Sequence, residues 1–384
     1  MQVFAFHLIP YPAVPEDVLA RYTSPWVKLP NSYYDPSVGA EVYENALAEF
    51  AHADELGYDG VCVNEHHQTA YGSMPSPNIM AAALTRVTKR ARIAILGNAL
   101  PLRANPLRVA EEVAMIDVMS HGRVISGFVR GIGAEYHSFG VNPAFSHDRF
   151  HEAHDLIIAA WTRPGPFRWD GRHYQFPYVN PWPRPMQQPH PPIWIPSQGS
   201  SETIRWSAER RYTYLQTFSP TEHVQRYMDM YWRVCQEEFG YTPRFGQLGW
   251  AIPIFVGRTD EEARAIAKPH IEYFYNKLLV MPQEYYFPPG YLSAASMASV
   301  LAAKKSLTQG GEANQIDALI AAGRFICGSA ETVKQRLVEL SQKMRIGVLS
   351  GMFQFGTLPH QLAIENLTRF AEEVKPALES VNRE

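Results

Sequence analysis

The chain has 384 residues, of which 46% are hydrophobic and 19% charged, enough apolar material for a large buried core and too little charge for a disordered protein. Its 35 Lys and Arg against 38 Asp and Glu give a formal net charge of −3 without a basic block, so nothing supports a nucleic-acid partner. Apolar runs stay well short of the ~18 residues that cross a bilayer, and no export signal precedes the first strand, so we expect a cytoplasmic protein without membrane contact. The cysteines Cys62, Cys235 and Cys327 are expected to be reduced thiols.

Strand-like and helical segments alternate along the whole chain. The predicted strands are Val3–Ile9, Tyr58–Val63, Arg92–Leu96, Val124–Val129, Ile193–Pro196, Tyr212–Thr217, Leu248–Val256 and Gly347–Phe355. The predicted helices are Ala40–Leu56, Ile79–Val87, Pro106–Met119, Arg149–Trp161, Glu202–Glu209, Thr221–Phe239, Asp260–Leu279, Ala330–Met344 and Gln361–Leu378. Eight strands, each followed by a helical segment, predict a (β/α)8 TIM barrel forming one domain over residues 1–384. An open doubly wound sheet is disfavoured because no glycine-rich dinucleotide fingerprint follows the first strand.

Three connections are longer than ordinary loops: Pro10–Gly39, Pro164–Pro192 and Val280–Phe325. The second contains FRWDGRHYQF, whose aromatic segments around Asp170 and Gly171 predict a β-hairpin. The long connections are rich in proline and aromatic residues, namely Trp26, Tyr33, Tyr34, Trp182, Tyr285 and Tyr286. They indicate a largely apolar substrate, although loop anchoring is the simpler role for each ring.

In a TIM barrel the active site lies at the carboxyl ends of the strands. The second predicted strand is followed by Glu65, His66 and His67, and adjacent imidazoles can donate or accept a proton near pH 7. A hydrogen-bonded surface turn is the simpler alternative. A metal site is less favoured because the helical His-Glu-x-x-His spacing is absent.

Other strand ends suggest an anion site. Arg130 stands beside two glycines after the fourth strand, a composition that suits phosphate, although a plain turn is equally consistent. A further cluster opens the helix after the fifth strand, where backbone N–H groups and hydroxyls bind anions: Gly199, Ser200, Ser201 and Thr203. The third strand ends in Leu96, Gly97 and Asn98. The small residue there would let a planar ring approach the backbone, and Asn98 supplies an amide for hydrogen bonding.

Other chemistries have weaker support. His147, His151 and His154 share a helical face, but without matching Cys, Asp or Glu ligands they predict a polar face with one or two buried histidines, and we expect no metal. Neither the nucleophile motif G-x-S-x-G nor a P-loop is present. A glycosidase is a minor alternative, since no second carboxylate ends a strand.

Taken together, these motifs closely resemble the bacterial luciferase-like, flavin-dependent monooxygenase family. Three motifs carry the resemblance: Glu65-His66-His67, the segment NPLRVAEEVAMIDVMSHGR, and the helix start at Gly199. Phe139-Gly140-Val141 and the carboxyl-terminal pattern GSAETVKQRLVEL followed by FAEEVKPAL add to it, and the similarity spans nearly the whole chain. It implies a TIM barrel that binds reduced FMN, supplied by a separate NAD(P)H flavin reductase, and that uses oxygen through a flavin hydroperoxide to oxygenate its substrate. It also implies a homodimer.

The resemblance carries roles to single residues. His66 matches the catalytic histidine, with Glu65 and His67 beside it under the flavin ring. The strand end that lies along the ring, often through a strained peptide, is matched by Leu96, Gly97 and Asn98, and the phosphate site by Arg130, Arg149, Gly199, Ser200, Ser201 and Thr203. One departure concerns Val129, where the catalytic luciferase subunit has a reactive cysteine, so hydroxylation, epoxidation or Baeyer–Villiger chemistry is favoured over light emission. A deazaflavin-dependent oxidoreductase and a non-catalytic flavin-binding subunit remain alternatives.

Overall fold

A computed structural model describes residues 1–22, 24–292 and 312–382. Its strands are β1 Gln2–Phe6, β2 Gly60–Val63, β3 Arg92–Ala99, β4 Val124–Val129, β5 Phe167–Asp170, β6 Gln175–Val179, β7 Ile193–Ser197, β8 Thr213–Thr217, β9 Leu248–Gly257, β10 Ile326–Ser329 and β11 Val348–Met352. Eight of them pair in parallel in the order β1-β2-β3-β4-β7-β8-β9-β11, and β11 returns to β1 and closes the barrel. The predicted TIM barrel is confirmed.

The described α-helices are Glu16–Arg21, Pro36–Glu55, Pro77–Val87, Leu107–Met119, Gly133–Phe139, Ser146–Thr162, Ser201–Glu209, Thr221–Glu237, Asp260–Tyr273, Gln283–Tyr286, Ile316–Ala321, Ala330–Met344, His360–Arg369 and Lys375–Leu378. Short 3-10 turns span Asn31–Tyr33, Leu100–Leu102, Pro143–Phe145, Phe245–Gln247 and Glu312–Asn314, and π-helical turns span Phe274–Leu278 and Phe370–Val374. Within the described ranges, no helix is long and apolar enough to cross a membrane.

Alternation along each strand builds two apolar layers. Side chains such as Phe4, Phe6 and Cys62 belong to a cluster that fills the barrel interior, whereas Val3 and Val61 belong to the layer between the strands and the helices. Cys62, Cys235 and Cys327 are free and buried.

The wall between β3 and β4 contains an irregularity that positions the site. Ile95 pairs with Ser126 but Asn98 pairs with Phe128, so β3 holds one extra residue. The strands approach so closely that a Cβ atom on Gly127 would lie 1.9 Å from the Ile95 carbonyl oxygen. The Leu96–Gly97 peptide bond is cis.

Several boundaries differ from those predicted. β1 ends at Phe6 rather than Ile9, because Ile9 has a positive φ of 54° and leaves the extended conformation. The helix Gly133–Phe139 and strand β10, which pairs with the end of β9 outside the barrel, were not predicted, since each is short. The hairpin β5–β6 is confirmed. Residues 293–311 of the third long connection lie outside the described residues.

Candidate active site

Glu65 lies immediately beyond β2 and is fully buried, with its carboxylate held on both oxygens. One oxygen is 2.7 Å from Nε2 of His67, and the other receives hydrogen bonds from Arg103 at 2.5 Å and from the backbone N–H of Ala99 at 3.2 Å. The His67 ring also packs on Phe139, 4.6 Å away between centroids. Glu65 and His67 therefore tie β2 to the end of β3 and to the loop that follows it.

His66 points in a different direction and meets a carboxylate that the sequence analysis missed. Its Nδ1 lies 3.1 Å from Oε1 of Glu135, which is 1% exposed and sits on the helix Gly133–Phe139. The second oxygen of Glu135 accepts the backbone N–H of Ile132 at 2.8 Å. Only tertiary folding unites these residues, which are 69 positions apart, so no local motif could have revealed the pair.

Aromatic side chains surround the rest of the His66 ring. Trp26 and Tyr71 contact it edge-on at centroid distances of 5.2 and 5.0 Å, and Tyr71 stacks on Phe274 at 5.6 Å. The contact chain continues to Phe218 and Phe6, and we call these five residues the aromatic cluster. Trp26 is anchored by a residue far away in the sequence, because its indole N–H donates to the Leu278 carbonyl at 2.9 Å. Burial raises the pKa of Tyr71 well above its usual range, so this phenol stays neutral.

The residues predicted to bind the cofactor at the end of β3 lie on two different faces of the strand. Leu96 belongs to the interior cluster, but the Asn98 side chain faces outward and donates to Asn78 at 3.1 Å. The extra residue between Ile95 and Asn98 reverses the alternation, because it shifts every later side chain to the opposite face. The interior amide is instead Asn64, two residues beyond Cys62 and 3% exposed, whose amide nitrogen and oxygen have no partner in the described part of the chain.

Arg130 follows β4 and meets the third long connection. Its guanidinium donates to the Ser146 hydroxyl at 3.3 Å and to the Tyr291 carbonyl at 3.1 Å, and lies 4.5 Å above the Tyr291 ring. The Tyr291 hydroxyl donates to the Gly131 carbonyl at 2.6 Å. Tyr286, from the same connection, donates a short hydrogen bond to Gln198 at the end of β7. The segment from Tyr286 to Tyr291 thus bridges the two predicted halves of the phosphate site.

The predicted helix start after β7 is present. The helix Ser201–Glu209 begins after Ser200, whose hydroxyl accepts the N–H of Thr203 at 3.4 Å, and the Tyr227 ring packs against Gly199. Arg149 is engaged elsewhere. It donates to the carbonyls of Pro101 and Arg103 at 3.0 and 2.9 Å, and so braces the loop after β3.

The second histidine group forms a polar helix face. His154 is buried between Asp155 and the Tyr212 hydroxyl, at 2.8 and 2.9 Å, whereas His147 is exposed and lies 3.3 Å from His151 between Nε2 atoms. Burial, with a smaller contribution from His147, lowers the pKa of His151 to about 4. No group of three or more His, Cys, Asp or Glu suited to a metal ion occurs in the ranges that the structure covers.

A family model described as luciferase-like monooxygenase matches residues 26–346. The chain belongs to the luciferase-like monooxygenase family. This is a family of flavin-dependent monooxygenases that includes two-component systems, so the protein is a flavin-dependent oxidoreductase.

Two comparisons with monooxygenases support this membership. The chain is 25% identical to 2,5-diketocamphane 1,2-monooxygenase 2 of Pseudomonas putida over 349 residues, which are 84% of this chain and 90% of the relative. Its fold matches the oxygenating constituent of 3,6-diketocamphane monooxygenase, also from P. putida and in complex with FMN, with a TM-score of 0.70, 19% identity and 98% coverage of both chains.

The fold also matches that of an enzyme that uses F420 rather than FMN. It matches an F420-dependent secondary alcohol dehydrogenase with a TM-score of 0.67, 14% identity and 98% coverage of both chains. The barrel alone therefore does not distinguish flavin from F420 chemistry.

The luciferase-like site has the groups that a flavin nucleotide requires. Asn64 offers an interior amide without a partner among the residues that the structure describes, with one donor and one acceptor group for the polar edge of a ring. Arg130 offers a cation and the helix start at Ser200 offers backbone N–H groups of a helix N-terminus for a phosphate. The residues present fit the cofactor class of the family.

Proposed function

We propose that this chain is the oxygenase component of a two-component FMN-dependent monooxygenase, which receives reduced FMN from an NAD(P)H flavin reductase and oxygenates a small, largely apolar organic substrate. The observation that carries the proposal is the environment of His66. Its Nδ1 is held by Glu135, while Nε2 has no partner in the described residues and the ring borders the aromatic cluster. A proton-transfer group beside an apolar compartment suits oxygen transfer to an apolar compound.

The FMN would be held at both of its ends. Arg130, Gly199, Ser200, Ser201 and Thr203 would bind the phosphate, and Leu96, Gly97 and Asn64 would lie along the ring. Arg149 and Asn98 would act indirectly, because their side chains already stabilise the loop after β3 and the helix Pro77–Val87. When bound, reduced FMN supplies the electrons that activate oxygen, and the protein supplies the His66 proton-transfer group and excludes water through its aromatic cluster.

A deazaflavin enzyme is the second candidate, favoured by the match to the F420-dependent dehydrogenase fold. Such an enzyme would transfer hydride and need no oxygen. A third candidate, a non-catalytic flavin-binding subunit, fits less well with the intact Glu135–His66 pair, since a silent subunit has no need of a positioned imidazole.

A cofactor titration separates these candidates. The protein is titrated anaerobically with FMN, reduced FMN and F420, and the complexes are then given 18O-labelled oxygen with terpenes, ketones and aldehydes. We expect tight binding of reduced FMN and one labelled oxygen atom in the product. Tight binding of F420 with oxygen-independent turnover would replace the proposal, and binding without turnover of any tested substrate would favour the silent subunit.

His66→Ala tests the proton-transfer group within this function. We expect FMN affinity to be retained and product formation to fall by about 10²-fold or more. His52→Ala, on the helix Pro36–Glu55 and bonded to Thr368, is the matched control. Unchanged turnover in the His66 variant would remove His66 from the mechanism. We also propose, from the family resemblance, that the chain forms a homodimer, and sedimentation equilibrium measures its mass in solution.

A further inference from the structure

His66 and His67 each pair with a buried carboxylate, and the two carboxylates differ in how their charge is compensated. The charge of Glu65 is compensated by Arg103 at 2.5 Å in addition to the 2.7 Å contact with His67. Glu135 has no Lys or Arg partner in the described residues, and its polar contacts are His66 and the Ile132 N–H. A buried carboxylate without a cation depends on the hydrogen-bond donors that reach it.

The acceptor chemistry of Glu135 determines where the proton of His66 resides. A carboxylate only accepts hydrogen bonds, so the ring nitrogen that faces it must carry the hydrogen. Imidazole is the stronger base of the two groups in water, which favours the proton on the ring rather than on the carboxyl group. In free neutral imidazole either nitrogen can hold the proton, and a hydrogen bond to one of them selects the tautomer.

We infer that Glu135 is a positioning residue that holds a proton on Nδ1 of His66 and thereby presents Nε2 to the reacting groups. His67 is placed differently, because its ring packs on Phe139 rather than on the aromatic cluster and is 7% exposed. The acid–base function of the Glu-His-His motif is thus assigned to one atom, Nε2 of His66. Trp26 and Tyr71 fix the ring plane, and the neutral phenol of Tyr71 adds no charge.

Glu135→Gln changes the tautomer without changing the shape of the side chain. The Ile132 N–H needs an acceptor, so the amide oxygen takes the position of Oε2, and the amide NH2 then faces Nδ1 of His66. Nδ1 must accept from that group, and the ring proton moves to Nε2. In the neutral ring, the variant therefore presents a donor where the wild-type protein presents an acceptor.

Nitrogen NMR of 15N-histidine-labelled protein, recorded without flavin, reads the tautomer directly. Signals of His66 are identified by their loss in His66→Gln. We expect Nδ1 to be protonated in the wild-type protein and unprotonated in Glu135→Gln. Glu49→Gln, which alters another buried carboxylate between two histidines, His7 and His360, is the control and should leave the His66 signals in place. An unprotonated Nδ1 in the wild-type protein overturns the inference even if the variant fails to fold, and so does a proton retained on Nδ1 in a folded Glu135→Gln.

Kinetic measurements connect the His66 tautomer to catalysis. Only this second experiment rests on the proposed function. In Glu135→Gln we expect kcat to fall at least about tenfold while KM and the affinity for FMN stay within about twofold. The expected NMR change with unaltered kcat would preserve the positioning role and refute His66 as the proton-transfer group. Loss of activity without the NMR change would refute the positioning role.

Discussion

The buried ion pair between Arg103 and Glu65 gives the most quantitative prediction for stability. Arg103→Met retains much of the apolar volume of the side chain but leaves the Glu65 carboxylate, among the described residues, with His67 and the Ala99 N–H as partners. Removing one member of a buried pair costs about 3–5 kcal/mol, because the remaining charge is uncompensated. Arg103 is 25% exposed, so water replaces part of its contribution and we expect about 2–3 kcal/mol.

The loop itself should survive this substitution. The backbone carbonyl of Arg103 accepts from Arg149 at 2.9 Å and from the Tyr174 hydroxyl at 3.4 Å, and neither contact uses the Arg103 side chain. The loss in stability therefore reports on the charge of Glu65. In the double variant Glu65→Gln/Arg103→Met the charge is absent, and most of the lost stability should return.

Urea denaturation of the two single variants, the double variant and the wild-type protein provides the measurement. Arg108→Met removes an exposed arginine that pairs with Glu111 and Glu112, and as the control it should change the free energy of unfolding by less than about 0.5 kcal/mol. A loss below about 1 kcal/mol in Arg103→Met, or a double variant that is no more stable than Arg103→Met, would refute the argument from uncompensated charge.

Three further predictions concern the barrel wall, pH and cofactor binding. Gly127→Ala should destabilise the protein by about 3 kcal/mol or more, since its Cβ would lie 1.9 Å from a backbone oxygen, whereas Gly246→Ala has open space around it and should be neutral in thermal unfolding. The pKa of His151 is about 4 in the folded protein and near 6.5 in the unfolded protein, so the unfolded state binds more protons between these values and the free energy of unfolding falls as pH falls. His151→Gln should therefore lose less stability than the wild-type protein between pH 6.5 and 4. An unchanged pH profile of stability would contradict this prediction. Arg130→Ala should weaken FMN binding by about 1.5–3 kcal/mol in fluorescence titration, with exposed Arg336→Ala as control, and equal affinities would exclude the phosphate role.

The sequence supported the barrel and the strand-end residues because both depend on local patterns. The alternation of strands and helices predicts eight strand–helix units, and polar groups directly after apolar strands indicate the face of the barrel where the strands have their carboxyl ends. The orientation of Asn98 could not be predicted, since the extra residue in β3 is visible only in its pairing with β4. The role of Glu135 and the anchoring of Trp26 could not be predicted for a related reason, because their partners His66 and Leu278 are 69 and 252 residues away. The assignment of all 384 residues to one domain and the roles of the site residues stay predictions.

The three long connections, similar in composition, have different relations to the site. Trp26 of the first and Tyr286 and Tyr291 of the third contact groups at the carboxyl ends of strands. In the second, Tyr174 supports the loop after β3 through the Arg103 carbonyl, whereas Gln187 bonds Asp117 and the Val124 carbonyl at the start of β4, the opposite end of the barrel. Trp182 in that connection is 83% exposed and is not part of the aromatic cluster. Aromatic content alone therefore overstates the substrate-contacting surface, and specificity should be sought in the first and third connections, where rings reach His66 and Arg130.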